Sequence, residues 1–89
     1  MKARYLEVTF RKGKMLAAYL YLPRASEVKS VRAEVVSPGL LVDYGADGQA
    51  LGLEITAPGK VTLEEINAVL ERLGQPGISA DELAPLAAA

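Results

Sequence analysis

Leu40-Leu41-Val42-Asp43-Tyr44-Gly45-Ala46-Asp47-Gly48-Gln49-Ala50-Leu51-Gly52-Leu53-Glu54-Ile55 is the stretch that decides the fold. Two apolar runs flank Asp47-Gly48, and Asp-Gly between such runs is among the stronger short-range signals for a β-hairpin. Leu51, Leu53 and Ile55 alternate with Gly52 and Glu54, the period of two expected of a strand with one buried face. The spacing predicts strands over Leu40 to Tyr44 and Ala50 to Thr56.

The same residues match part of an EF-hand calcium loop, with Asp43, Asp47, Gly48 and Glu54 at its first, fifth, sixth and twelfth positions. The third position is Gly45, which has no side-chain oxygen, and both flanks alternate as strands where an EF-hand has helices. Asp47 and Gly48 therefore read as turn formers and Glu54 as a solvated strand residue. The three carboxylates lack a phosphate-binding loop or a partner base, so no metal site, cofactor or catalytic residue is expected from them.

Upstream, Leu6, Val8 and Phe10 alternate with Glu7, Thr9 and Arg11, and Arg11-Lys12-Gly13-Lys14 reads as a hairpin turn. Met15 to Leu22 is apolar on both faces, with Leu16, Ala18, Leu20 and Leu22 on one and Met15, Ala17, Tyr19 and Tyr21 on the other. Each face then needs a cover. Pro23 ends this strand, and Arg24 to Lys29 reads as a polar loop. Ser30 to Val36 alternates again, Val31, Ala33 and Val35 against Arg32 and Glu34, until Ser37-Pro38-Gly39 turns the chain.

Downstream, Thr62 and Glu65 form a capping box with Val61 and Ile66 as a hydrophobic staple, so a helix is expected over about 62–73. Leu63, Ile66, Val69, Leu70 and Leu73 make its apolar stripe, and Gly74 with Pro76 ends it. Ser79 and Glu82 repeat the box, with Ile78 and Leu83 as staple, for a short helix over about 79–86 that Pro85 limits. The expected fold is α+β in a single domain over 1–89: an antiparallel, meander-like sheet of about five strands within 5–56, then one amphipathic helix and one short C-terminal helix.

The chain has 89 residues with neither Cys nor His. These absences remove disulfides, thiolate metal sites, the commonest general base and every Ser-His or Cys-His pair, so no enzyme is expected. Met1 to Tyr5 leads into strand-like sequence rather than an apolar signal core, and no run approaches the about 18 to 20 apolar residues of a membrane span. Cytoplasmic residence and no membrane contact are expected.

The net charge of −1 is the sum of two unlike halves, +6 over residues 1–32 and −7 over residues 33–89. Such an asymmetry either neutralises within the fold or makes a dipole suited to charged partners. Arg11, Lys12 and Lys14, close in sequence to aromatic strands, are the candidate nucleic-acid contacts, because aromatics flanked by bases can stack unpaired bases. An RNA recognition motif would need a βαββαβ order, and here the helices come last, so nucleic acid is the weaker alternative. The doubly apolar second strand points instead to a homo-oligomer, a homodimer in its simplest form, with Met15, Tyr19 and Tyr21 as the candidate interface.

Over about residues 16–60 the chain resembles the bacterial and archaeal family called domain of unknown function 2283. Two stretches carry the likeness: Leu16-Ala17-Ala18-Tyr19-Leu20-Tyr21-Leu22, similar to that family's opening strand, and Val36 to Ile55, similar to its acidic Asp-Gly hairpin followed by Gly-Leu/Ile-Glu-Ile. Gly45 departs from the pattern where an acid is common. The resemblance implies the hairpin fold but no activity and no catalytic residues. Some members of the family look like antitoxin partners of small toxin-like proteins, which implies a possible protein partner. The expected function is thus a noncatalytic, self-associating interaction module, with an antitoxin-like partner and a nucleic-acid binder as alternatives.

Overall fold

The computed structural model describes residues 4–23 and 29–84, apart from the side chains of Arg11 and Met15. Five strands form one antiparallel sheet: β1 (Tyr5–Arg11), β2 (Lys14–Tyr21), β3 (Arg32–Ser37), β4 (Leu40–Tyr44) and β5 (Ala50–Ile55). A 3-10 turn at Pro58–Lys60 leads to α1 (Leu63–Arg72). The α+β class and the antiparallel sheet are those the sequence predicts.

The strand order is β1-β2-β5-β4-β3. β3, β4 and β5 form a meander through tight turns, but its last strand, not its first, lies beside β2. Leu20 pairs with Leu53 and Ala18 with Ile55, joining β2 to β5 through four buried residues. β1 and β3 are left at the edges.

Each turn has the residue its geometry needs. Lys12 and Gly13 both take positive φ, 51° and 76°, in the β1–β2 reversal; such a pair suits the right-handed twist of hairpin strands. At the β4–β5 turn Gly48 has φ 83°, and Asp47 Oδ1 accepts from the Gln49 amide at 3.0 Å. This is the hairpin, not a cation loop, that the Asp-Gly signal favours.

The core lies on one face of the sheet. Ala18, Leu20, Leu22, Leu40, Val42, Leu53 and Ile55 pack with Ile66, Val69 and Leu70 of α1 and with Ile78 and Leu83. Complete burial of Ile66 and Leu70 contributes roughly 1.5–3 kcal/mol per side chain. α1 starts at a complete capping box: the Glu65 amide donates to Thr62 Oγ1 at 3.1 Å and the Thr62 amide to Glu65 Oε1 at 3.2 Å. It ends in a Schellman motif, where Gly74 has φ 73° and the Gln75 amide donates to Leu70 O at 2.8 Å. The second capping box also forms, Ser79 with Glu82, and among the described residues it opens a turn over 80–83 that passes into helix at Ala84. Residues 85–86 of the expected short helix, and most of the Arg24 to Lys29 loop, lie outside the described residues.

Three β-bulges alter the simple alternation. Thr9 pairs with Ala17 and Phe10 with Met15, so Leu16 is an extra residue in β2. A bulge leaves its extra residue unpaired and adds twist. Leu16 is accordingly 48% exposed and does not share the burial of Ala18, Leu20 and Leu22, with which the alternation grouped it. Val36 is the extra residue of β3 and Leu51 that of β5.

Candidate interaction surface

The face of the sheet opposite α1 is built by register. Tyr5 pairs with Tyr21 and Glu7 with Tyr19; Tyr19 pairs with Glu54 and Tyr21 with Gly52; Asp43 pairs with Gly52 and Leu41 with Glu54; Ala33 and Val35 follow on β3. Side chains directly across a sheet share a face. The helix-free face is therefore aromatic and acidic over β1, β2 and β5, mixed over β4 with Asp43 and Leu41, and aliphatic over β3. Val31, Ala33 and Val35 belong to it and are exposed, Val35 by 68%. They are not buried, because among the described residues no strand lies beyond this edge and α1 packs on the other face of the sheet.

The tyrosines lie against one another and against the sheet. Tyr5 and Tyr21 stack with ring centroids 4.3 Å apart, and Tyr19 meets Tyr21 at 4.6 Å in a tilted arrangement. The Tyr19 hydroxyl donates to Asp43 Oδ2 at 2.9 Å and the Tyr21 hydroxyl to Glu7 Oε1 at 3.3 Å. Partial burial, and secondarily the charge of Glu7, push the Tyr21 phenol above its ordinary pKa. Tyr19 and Tyr21 are both half-buried. The doubly apolar second strand is thus covered in part from within the chain, by its own tyrosine rings and that of Tyr5.

The structure keeps the basic turn apart from this patch. Arg11 pairs with Lys14 at the tip of the first hairpin, whereas Tyr5 pairs with Tyr21 at its open end. Tyr5 is six positions from Arg11 along β1, about 20 Å, and Tyr19, opposite Glu7, is four positions from it, about 13 Å. Lys12 and Lys14 are exposed, and the carboxylates nearest the tyrosines are Glu7 and Asp43. Met15 pairs with Phe10 near the tip, and its side chain lies outside the described residues. The structure therefore brings together Tyr19 and Tyr21, but neither with the basic turn. Among the described residues no three His, Cys, Asp or Glu side chains form a group that could hold a metal ion. No helix among them is long and apolar enough to cross a membrane.

Two anchoring contacts were not legible in the sequence. Asn67 of α1 clamps Ile78: its Oδ1 accepts from the Ile78 amide at 2.7 Å and its Nδ2 donates to the Ile78 carbonyl at 3.1 Å. Arg4 donates to the carbonyls of Pro76 and Gly77 and lies 3.6 Å from Glu82. The basic N-terminal half and the acidic C-terminal half thus meet through Arg4 and Glu82. A signal for a third feature was present: Gly52, inside a strand, marks a place where another group comes close. That group is Tyr19.

The acidic hairpin, the Gly52 strand and the tyrosine strand that meets it all fall in one segment. Residues 17–57 match the family model described as protein of unknown function (DUF2283). The matched segment spans most of β2 and all of β3, β4 and β5, and it contains Tyr19, Asp43 and Gly52. The likeness seen in the sequence is therefore shown, while β1 and α1 stand outside the match. No curated protein and no solved structure matches the chain.

Proposed function

We propose that the chain is a noncatalytic interaction module that self-associates, with the helix-free face of its sheet as the contact surface and a second copy as the occupant. The observation that carries this reading is the one-sided packing of the sheet: α1 and the Ser79–Leu83 turn join the core on one face, while Tyr5, Leu41, Ala33 and Val35 remain at the surface of the other. The hydroxyl bonds from Tyr19 to Asp43 and from Tyr21 to Glu7 support it, because a carboxylate that already accepts a hydrogen bond is less costly to cover than a bare one.

Tyr19 and Tyr21 are central to this surface, and cytoplasmic residence would suit a cysteine-free module. Native mass spectrometry of the purified chain tests the reading. A mass that is a whole multiple of the chain, reduced by Tyr21→Lys with the melting transition retained, is the expected result. A single-chain mass at every concentration would sink self-association, and a bound protein of different mass would replace it with the antitoxin-like reading.

A further inference from the structure

β3 is an edge strand whose residues from Arg32 to Val35 are exposed, and so are Lys29, Ser30 and Val31 before it. An open edge presents unpaired backbone N–H and C=O groups and is a template for a further strand. What distinguishes this edge is its symmetry. If a second β3 is laid antiparallel to it about Ala33, Arg32 falls opposite Glu34 of the other copy, Glu34 opposite its Arg32, and Val31 and Val35 opposite each other. Neighbouring two-fold registers lack this match: centring on Glu34 sets Glu34 against itself, and centring on Arg32 sets Arg32 against itself.

We propose that two copies of the chain join edge to edge through β3, centred on Ala33, to make one continuous ten-stranded antiparallel sheet. The register satisfies both faces. On the side of α1, two Arg32–Glu34 pairs form across the junction, with Cβ atoms about 4.5–5.5 Å apart. Within one chain the same two residues are two positions apart along the strand, about 6.8 Å, and their closest charged atoms are 3.5 Å apart at a half-exposed surface. On the helix-free side, Val31 and Val35, now 61% and 68% exposed, cover each other. The Arg32 guanidinium is already held 4.1 Å over the Tyr44 ring, which limits its freedom before pairing. Because the two-fold axis is perpendicular to the sheet, both helix-free faces lie on the same side of the dimer. The edge contact rests on the self-association proposed above but uses a different surface from the face contact, and both can form together.

Charge reversal tests the register. Arg32→Glu gives an edge with two acids and Glu34→Arg an edge with two bases, so each variant should repel its own copy. In native mass spectrometry each single variant is expected to show half the parent mass, and an equimolar mixture to regain the parent mass with the two variants in equal number. Within each variant chain residues 32 and 34 carry like charges, so recovery on mixing can come only from contacts between chains. Single variants that keep the parent mass, or a mixture that fails to regain it, would overturn the edge pairing while leaving self-association through the face intact. A parent that is a single chain under all conditions would remove both. A parent dimer halved by the edge variants and untouched by Tyr21→Lys would keep the edge and remove the face.

Discussion

Tyr19 lies across Gly52, and the space of the missing side chain is filled by the phenol ring. A Cβ built on Gly52 would collide with Cε1, Cζ and Oη of Tyr19, while the same hydroxyl donates to Asp43 on the next strand at 2.9 Å. One ring thus joins β2, β5 and β4 across the helix-free face. An aromatic laid over a strand glycine compensates for the packing that glycine lacks.

Gly52→Ala should therefore displace the ring and break the bond to Asp43, at a cost of about 1–3 kcal/mol. In a Tyr19→Ala background the same substitution should cost little, since nothing then occupies the space. Urea denaturation of the two single variants and the double variant checks this, and additive costs would contradict the contact.

Two turn glycines should respond differently to alanine. Gly39 and Gly48 have nearly equal φ, 84° and 83°, but a Cβ at Gly39 would lie 2.7 Å from Ala57 Cβ, whereas at Gly48 it meets open space. Gly48→Ala should show only the left-handed backbone penalty, about 1–2 kcal/mol. Gly39→Ala should cost clearly more, because Ala57 and the Thr56 amide that bonds to Gly39 O must move as well. Equal melting-temperature losses would count against the close approach.

The start of α1 should be sensitive to acid. Hydrogen bonds from Ser37 and then from the Thr62 backbone hold the Glu65 carboxyl below its ordinary pKa. A depressed folded-state pKa gives stability that is present above the unfolded value, about 4.3, and lost as pH falls through the folded one. Thr62→Ala should lower stability at pH 7 by about 1 kcal/mol. Ser37→Ala, which removes the larger of the two bonds, should flatten the fall in stability below pH 4.3 (about the unfolded Glu value), as measured by denaturation across that range.

Tyr21 should ionise late. Its pKa is raised by burial and by Glu7, so its stability contribution is fully present below the unfolded phenol value, about 10, and is lost as pH rises through the folded value. Phenolate absorbance should show a delayed component that Tyr21→Phe removes and Glu7→Gln shifts to lower pH.

Asn67→Ala should free the Ile78 backbone groups that it clamps. Amide exchange at Ile78 should rise, while protection within β5 stays near the parent level. Loss of protection throughout the sheet would show that the clamp supports the whole fold rather than its C-terminal segment.

The local elements were legible because each rests on residues close in sequence. The Asp47-Gly48 turn, the period-two pattern of β5, both capping boxes and the Gly74 stop involve partners within a few positions. The interface candidates Tyr19 and Tyr21 were found as an excess of apolar surface on β2, and the structure puts them on one face. Leu16 was grouped by alternation with Ala18, Leu20 and Leu22, and the bulge at that position leaves it exposed instead.

By itself, then, the sequence determined the strands, the turns, the helix and its caps, since backbone preference, side-chain period and short-range hydrogen bonds act within one turn or one hairpin. Only the tertiary structure decided that β5 enters beside β2, that Tyr19 lies over Gly52, that Asn67 holds Ile78 and that β3 is left as an open edge. Those outcomes depend on which distant apolar strands bury one another best, and pairing between residues tens of positions apart leaves no periodic mark along the chain.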